Sequence, residues 1–353
     1  MYREGEAATM DLHDYLRLLP KAELHCHFVS TLSVDRLFEL AGRHGVALRT
    51  DDHAEILRYR DLMDFLDVFN AAHDVLTTGD EIAQLALDAV TDGVRDGNLR
   101  YREYFINPDN FAPRIDYPSL IDAMVDGLEE GKRRYGVGYR IIVAINRALG
   151  AATAEGLVET IAAHPRDAVV GIGMDDLAPG GHEAPLTFTD AYAAARRHGL
   201  RLTAHVGETL AQPPRNVIDA YTELKVERID HGYRTVDDPD VLARMLESGL
   251  AYTCTPHSTL QLSGWEFTPG HRIARLIRAG IPLSFATDDA VFFATHIGRE
   301  YTAALPAMGF GADEAKRIAR TGFEMAWCDD AEKNRMLADV DAQILALDAA
   351  LAH

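Results

Sequence analysis

Cysteine is scarce in this sequence. Its 353 residues include three cysteines, Cys26, Cys254 and Cys328, whose spacing matches no zinc-finger pattern. A small, odd number of cysteines argues against a disulfide framework and is typical of a reducing compartment. We therefore expect no disulfide, and we expect Cys26 and Cys254 to be packing residues.

Basic residues and long apolar runs are also few. There are 35 Lys plus Arg against 55 Asp plus Glu, a formal charge of -20 that repels phosphate backbones and anionic membranes. No apolar run approaches the ~20 residues that span a bilayer, and residues 1–16 hold no apolar signal core. These absences predict a cytoplasmic protein with no nucleic-acid or membrane partner, and they leave the oligomeric state open.

What remains is the composition of an ordinary globular protein, with 47% apolar and 25% charged residues. No linker rich in Pro, Gly or Ser divides the chain. The sequence therefore predicts one domain over residues 1–353, a length that suits an α/β barrel with insertions.

Strand-like and helix-like segments alternate along most of this domain. Repeated β-then-α units imply parallel strands, and eight of them close into a (β/α)8 TIM barrel. No GxGxxG motif follows an early strand, which argues against a dinucleotide-binding open sheet. The predicted strands are 22–27, 98–106, 139–146, 167–173, 201–206, 226–230, 250–254 and 281–287.

Extra helical segments are predicted at two places. Three lie within 33–98, between the first two strands, where they form either a cap over a site or ordinary helical packing. Others follow within 311–353 and pack either on the barrel or on another subunit. The remaining predicted helices are 11–19, 117–135, 187–198, 216–224, 238–247 and 271–279.

Polar residues stand at the carboxyl ends of several predicted strands, where barrels of this kind build their sites. The first strand, AELHCH, has two histidines on one face, because alternate side chains share a face, and Cys26 on the other. The strand-end residues are His25, His27, His205, Glu208, His231, Asp288 and Asp289.

Three imidazoles and a carboxylate suit a divalent ion such as zinc, which brings the pKa of a bound water toward neutrality. Each residue alone has a structural explanation, since Asp288 and Asp289, for example, could cap a helix. Their convergence nevertheless predicts a metal site. The segment 167–173 carries no lysine to bridge two metals, so we expect one ion, with iron, cobalt or manganese as alternatives to zinc.

At these residues the chain resembles the adenosine and adenine deaminases of the amidohydrolase superfamily. The shared motifs occur in order between residue 20 and about residue 293. They are PKAELHCH, GIGMDD, LTAHVGET, RIDHGYRTVDDP, TPHSTLQLSG and SFATDDAVFF. The resemblance implies hydrolytic release of ammonia from an amino-purine, with adenosine and adenine as reference substrates.

The resemblance also implies a role for each residue of the constellation. The metal would be held by His25, His27, His205 and Asp288. Glu208 would protonate the ring nitrogen beside the amino-bearing carbon, His231 would orient or deprotonate the attacking water, and Asp289 would hydrogen-bond the imidazole ring of a purine. Because the addition breaks aromaticity, a carboxylic acid is needed there, and we expect Glu208 to be protonated when substrate binds.

Departures from the family pattern concern the substrate. Val29 and Ser30 replace an acidic residue and a Gly, and in adenosine deaminases that acid contacts the ribose. Adenosine deaminases carry a Gly after strand 4 whose backbone N–H contacts N3 of the purine. Here the corresponding segment GIGMDD is closer to the adenine-deaminase branch. Asp176 would either accept from a substrate N–H or be a solvated loop acid. The predicted substrate-binding residues are Val29, Gly173, Asp175, Asp176 and Asp289.

Three other functions stay open at this point. The chain could deaminate a non-adenine aminopurine or a pterin, or it could be an amidohydrolase that cleaves another cyclic C–N bond. It could also be a binding protein that retains the barrel without turnover, although a binding protein has no need of a general acid such as Glu208.

Overall fold

The computed structural model describes residues 10–60 and 62–351, and these contain eight strands. The predicted domain and N-terminal segment also include residues 1–9, 61, 352 and 353, which lie outside the described residues. The strands are β1 (Lys21–His27), β2 (Leu99–Ile106), β3 (Gly138–Asn146), β4 (Val169–Asp175), β5 (Arg201–Val206), β6 (Arg228–His231), β7 (Ala251–Cys254) and β8 (Leu283–Phe285).

All neighbouring strands pair in parallel, in sequence order. The ring closes between β1 and the segment after β8, because the N–H of His27 donates to the carbonyl of Asp288 at 2.8 Å and the N–H of Asp288 donates to that of His25 at 3.1 Å. The predicted (β/α)8 TIM barrel is confirmed. That it forms a single domain over 1–353 stays a prediction.

Helices connect the strands, and several of them start at a side-chain cap. Asp116 accepts from the N–H of Ser119 at the predicted start of helix 117–135, and Thr78 with Glu81 forms a capping box. The helices are α1 (Leu12–Leu18), α2 (Val34–His44), α3 (Leu62–Val75), α4 (Gly79–Gly97), α5 (Tyr117–Tyr135), α6 (Gly150–Ala163), α7 (Thr189–Arg197), α8 (Arg215–Asp219), α9 (Pro239–Ser248), α10 (Pro256–Ser263), α11 (Arg272–Ala279), α12 (Ile297–Arg299), α13 (Leu305–Ala307), α14 (Ala312–Met325) and α15 (Asp330–Ala350).

Strand β4 ends two residues later than its prediction, 167–173. Met174 and Asp175 continue the ladder opposite Ile145 and Asn146 of β3, so pairing with a neighbouring strand extends β4 beyond its apolar run. As a consequence, Asp175 stands at the carboxyl end of a strand rather than in a loop.

Strand β1 has the alternation that the sequence predicted. His25 contacts the rings of Phe105 and His205 inside the barrel, whereas Cys26 is buried in the apolar core. Cys254 is buried in the same core, and all three cysteines are free thiols. The two predicted packing cysteines are therefore confirmed.

The extra helices take different positions. Helix α3 contributes Phe65, Leu66, Phe69 and Asn70 to a cavity at the barrel mouth. Of the two predicted alternatives, a cap or ordinary helical packing, α3 therefore matches the cap. Helix α14 packs on β1 and β8, and α15 packs on α14. No helix in the described part of the chain is both long and apolar enough to cross a membrane.

Candidate active site

A cavity that is partly open to solvent lies at the carboxyl ends of the strands. Apolar side chains of α3, of Leu177 in the loop after β4 and of Leu262 in α10 contribute to its lining. The predicted site residues that also line it are His27, Asp175, Asp176, His205, Glu208, His231, Asp288 and Asp289. His25 is fully buried and touches this group through Asp288.

The four predicted metal ligands form a chain of close contacts around Asp288 and His27. Asp288 Oδ1 lies 3.1 Å from His25 Nε2 and 3.2 Å from His27 Nε2, and the Nε2 atoms of His27 and His205 are 3.2 Å apart. Tetrahedral zinc with ligand bonds near 2.0–2.1 Å separates its donor atoms by about 3.3 Å. The donor chemistry and these spacings fit one zinc ion.

His231 is as close to this cluster as the predicted ligands. Donor atoms of His25, His205, His231 and Asp288 all lie within 4.8 Å of one another, and His27, Asp288 and Asp289 form a second such group. Asp288 belongs to both groups and so is central to any ligand set. The assignment of His27 as ligand and His231 as proton carrier stays a prediction.

Asp230, which the sequence reasoning missed, supports the histidines from below. Its carboxylate lies 3.3 Å from His205 Nδ1 and 4.0 Å from His25 Nδ1, and Thr253 Oγ1 lies 2.8 Å from Asp230 Oδ1 and 3.0 Å from His25 Nδ1. Such a carboxylate fixes the tautomer and orientation of a metal-binding imidazole. The signal was its position in RIDHG, directly opposite His205 in the β5–β6 register.

Two histidines of the cluster, His205 and His27, differ in protonation when no metal is bound, and His27 must lose a proton to bind one. Burial and the nearby His25 lower the pKa of His205 to about 3, so its imidazole is neutral. Burial opposes the charged form of His27, but Asp289, Asp288 and Asp175 raise its pKa to about 10. This excess of carboxylates favours a cation at their centre.

Glu208 lies beside His231, with 3.9 Å between Glu208 Oε2 and His231 Nε2. Although 26% of its side chain is accessible, burial and the charges of Asp288 and Glu183 raise the pKa of Glu208 to about 8. A carboxyl group with this pKa holds a proton at neutral pH and can donate it.

His231 is buried and is held in a left-handed backbone conformation, with φ 66°. Its Nδ1 lies 3.3 Å from both the Tyr233 and the Thr255 hydroxyl groups, while its Nε2 faces the cavity without a hydrogen-bond partner. Burial holds its pKa well below the usual range. A neutral imidazole with a free nitrogen can accept a proton from water.

Two acids keep buried oxygens without a hydrogen-bond partner, namely Asp289 Oδ1 and Asp175 Oδ2. Burial raises the pKa of Asp289 to about 7 and that of Asp175 to about 6. The second oxygen of Asp175 accepts from Asn107 Nδ2 at 2.7 Å. Asp176 differs, because its side chain is exposed at the cavity mouth and accepts from the N–H of Leu177.

Val29 and Gly173 are not among the described residues that line the cavity. Val29 is 2% exposed and packs in the apolar core. Gly173 faces the barrel interior, where an added Cβ would come within 2.5 Å of the Phe105 ring. That these two residues bind substrate stays a prediction: Val29 packs in the apolar core just after β1, and Gly173 lies on β4 against the Phe105 ring.

Comparisons with known proteins agree with the motifs. The Adenosine deaminase family model matches residues 20–343. The adenine deaminase of Cupriavidus metallidurans is 34% identical over 335 residues, covering 94% of this chain and 93% of that protein. A zinc-bound amidohydrolase from Burkholderia ambifaria has a TM-score of 0.87 at 29% identity, covering 98% of this chain and 96% of its own. The adenine deaminase of Arthrobacter aurescens has a TM-score of 0.85 at 26% identity, covering 93% and 99%.

Proposed function

Since this chain belongs to the adenosine deaminase family, we propose that it is a zinc-dependent deaminase that hydrolyses the amino group of a free amino-purine base, with adenine as the reference substrate. The observation that carries the proposal is the meeting of a zinc-type donor set with Glu208 and His231 in one cavity.

The reaction replaces the amino group on an aromatic carbon by oxygen and releases ammonia. When bound by His25, His27, His205 and Asp288, zinc supplies Lewis-acid activation of water at neutral pH. Oxygen from the water bonds to the carbon, the C–N bond breaks, and the amino group leaves as ammonia with a proton that came from the water. The protein's own side chains perform the proton transfers.

Glu208 donates a proton to the ring nitrogen beside the carbon under attack, which offsets the charge that develops when aromaticity is lost. Its raised pKa supports this role. His231 orients the attacking water and accepts its proton through the partner-free Nε2. Asp289, with one oxygen free and a raised pKa, hydrogen-bonds a nitrogen of the purine imidazole ring.

Asp175 favours a free base over a nucleoside. Asp175 lines a cavity that must hold the base, and its Oδ2, which has no hydrogen-bond partner, would accept a ring N–H that a nucleoside lacks after sugar attachment. At the position where adenosine deaminases carry a ribose-contacting acid, this chain has the buried Val29. Relatives such as that of Cupriavidus metallidurans are named adenine deaminases.

Phosphorylated substrates are disfavoured. No Lys or Arg is among the described residues that line the cavity, whereas Asp175, Asp176, Glu183, Glu208, Asp288 and Asp289 are. A phosphate group would therefore enter a field of carboxylates without a compensating cation. The cytoplasmic location and the lack of nucleic-acid or membrane partners stay predictions.

A substrate panel tests this function. Zinc-loaded protein is mixed with adenine, adenosine, AMP, 2-aminopurine and a pterin, and both the absorbance shift and ammonia are recorded. We expect adenine to have the highest kcat/KM and AMP to show no turnover. Ring opening without ammonia, or AMP as the best substrate, would contradict the proposal.

The neighbouring acids Asp175 and Asp176 provide a matched pair of variants. We expect Asp175→Asn to raise the KM for adenine about tenfold or more, because it replaces a buried acceptor by a group that also carries N–H donors. We expect Asp176→Asn to change KM less than threefold, since that carboxylate is exposed. Zinc content is measured in both variants, because Asp175 Oδ2 also lies 3.6 Å from His27 Nδ1.

A further inference from the structure

Glu183 lies in the loop between β4 and α7, and no sequence motif drew attention to it. The residue is 2% exposed, and its carboxylate reaches across to the turn after β5. Oε2 accepts from the N–H of Gly207 at 2.8 Å, and Oε1 accepts from the N–H of Glu208 at 3.0 Å. A third donor, Asn216 Nδ2, lies 2.6 Å from Oε2.

The same turn is held from its other side by backbone. The N–H of Arg234 donates to the carbonyl of Gly207 at 3.0 Å, and Gly207 itself has φ 65° with no room for a Cβ beside Val217. The turn at Gly207 and Glu208 is therefore held from both sides. The Glu183 carboxylate binds the N–H groups of both residues, and the backbone of Arg234 binds the carbonyl of Gly207.

We propose that Glu183 is a positioning residue that sets the backbone, and through it the carboxyl group, of Glu208 for proton donation. The proposal rests on the function proposed above, because it gives Glu208 a proton to deliver. Glu183 does not carry the proton itself: its two oxygens are occupied by three N–H donors.

A carboxylate is the side chain that these donors require. Both of its oxygens accept, so each of the two backbone N–H groups has an acceptor. A glutamine has one acceptor oxygen, and its NH₂ group would point at an N–H donor, leaving at least one buried N–H unsatisfied. Glu183→Gln is therefore a disruptive change despite its equal size.

Kinetics of single and double variants test whether Glu183 acts through Glu208. We expect Glu183→Gln to keep its zinc and to change KM for adenine less than threefold, while kcat falls about 10- to 100-fold, the loss that a misplacement of about 1 Å produces. Adding Glu183→Gln to Glu208→Gln should lower kcat by less than twofold further, since the group to be positioned is already gone. Full additivity of the two losses would indicate a general structural role and overturn the proposal.

Backbone amide exchange provides a readout that does not depend on turnover. In the wild type the N–H groups of Gly207 and Glu208 are hydrogen-bonded to a buried carboxylate, and we expect their exchange to accelerate at least tenfold in Glu183→Gln. The exposed Glu223→Gln, in the same crossover between β5 and β6, should leave both exchange and kcat unchanged. Unchanged exchange in Glu183→Gln would overturn the proposal. If exchange is faster in Glu183→Gln but the wild type releases no ammonia from any aminopurine, only the proposed function is contradicted.

Discussion

Buried charged side chains are paired differently at the two ends of the barrel. Toward the amino ends of the strands, Glu23 pairs with Arg102 at 2.5 Å and Glu103 pairs with Arg228 at 2.7 Å. We call these four residues the barrel floor. At the carboxyl ends, the carboxylates outnumber the cations, and several buried ring nitrogens and oxygens have no hydrogen-bond partner.

The difference separates charges that stabilise the fold from charges that serve chemistry. Each side chain of the floor meets an opposite charge, and Glu103 also accepts from the N–H of Trp327 at 2.5 Å. The mouth leaves His231 Nε2 and Asp289 Oδ1 unsatisfied, which costs stability unless a metal or a substrate supplies the partner. Perturbed groups of this kind are typical of functional sites.

Removal of the metal should produce the largest effect. Treatment with a strong chelator is expected to abolish ammonia release, because no side chain in the cavity can replace Lewis-acid activation of water. Thermal stability should fall as well, since a ligand that binds the native state stabilises it. Adding one equivalent of zinc should restore both, and activity that persists in verified metal-free protein would contradict the metal site.

Substitution of the proton donor should have the next largest effect. We expect Glu208→Gln to retain zinc and the fold but to lose kcat by about 10²–10⁴, the contribution typical of general acid catalysis. The measurement is kcat for adenine together with zinc content. Near-normal turnover in this variant would refute the role of Glu208.

A substitution in the floor should affect stability instead. Arg228→Met leaves Glu103 buried without its ion pair, and we expect a loss of about 3–5 kcal/mol in the free energy of unfolding by urea. The exposed pair of Arg133 with Glu130, at a similar distance of 2.6 Å, is the control, and Arg133→Met should cost less than about 1 kcal/mol. Equal losses in the two variants would remove the distinction between paired charges of the floor and surface pairs.

The sequence predicted the barrel because strand-length apolar runs and amphipathic helices alternate along it. That the two histidines of β1 share a face followed from the two-residue period of a strand. Boundaries were less accurate where strand pairing extends beyond the apolar pattern, as at Asp175. The substrate-binding residues were harder to predict, because whether Val29 or Asp175 reaches the cavity depends on strand pairing and core packing, which no local pattern encodes. Asp230 and Glu183 escaped notice for the same reason: each acts on residues more than 20 positions away in the chain.

The smallest expected effect is the pH dependence that Asp289, at the barrel mouth, gives to the free energy of unfolding. Burial, with a contribution from Asp288, raises the pKa of Asp289 from 3.8 to about 7. Between these two values the native state holds a proton on Asp289 that the unfolded state has released, so the contribution of Asp289 to the stability of the metal-free protein should decrease as pH rises from about 4 to 7. One proton contributes a slope of at most about 1.4 kcal/mol per pH unit.

Asp289→Asn should flatten this slope, because an amide cannot ionise and no longer opposes burial at high pH. The measurement is the free energy of unfolding by urea at pH 5 and pH 7 in the presence of chelator, for the wild type, Asp289→Asn and the exposed Asp167→Asn as a control. We expect the drop between the two pH values to be smaller in Asp289→Asn and unchanged in Asp167→Asn. If Asp289→Asn keeps the wild-type drop, Asp289 is already paired in the native state, and the contrast between an ion-paired floor and a mouth with unpaired groups does not hold at this residue.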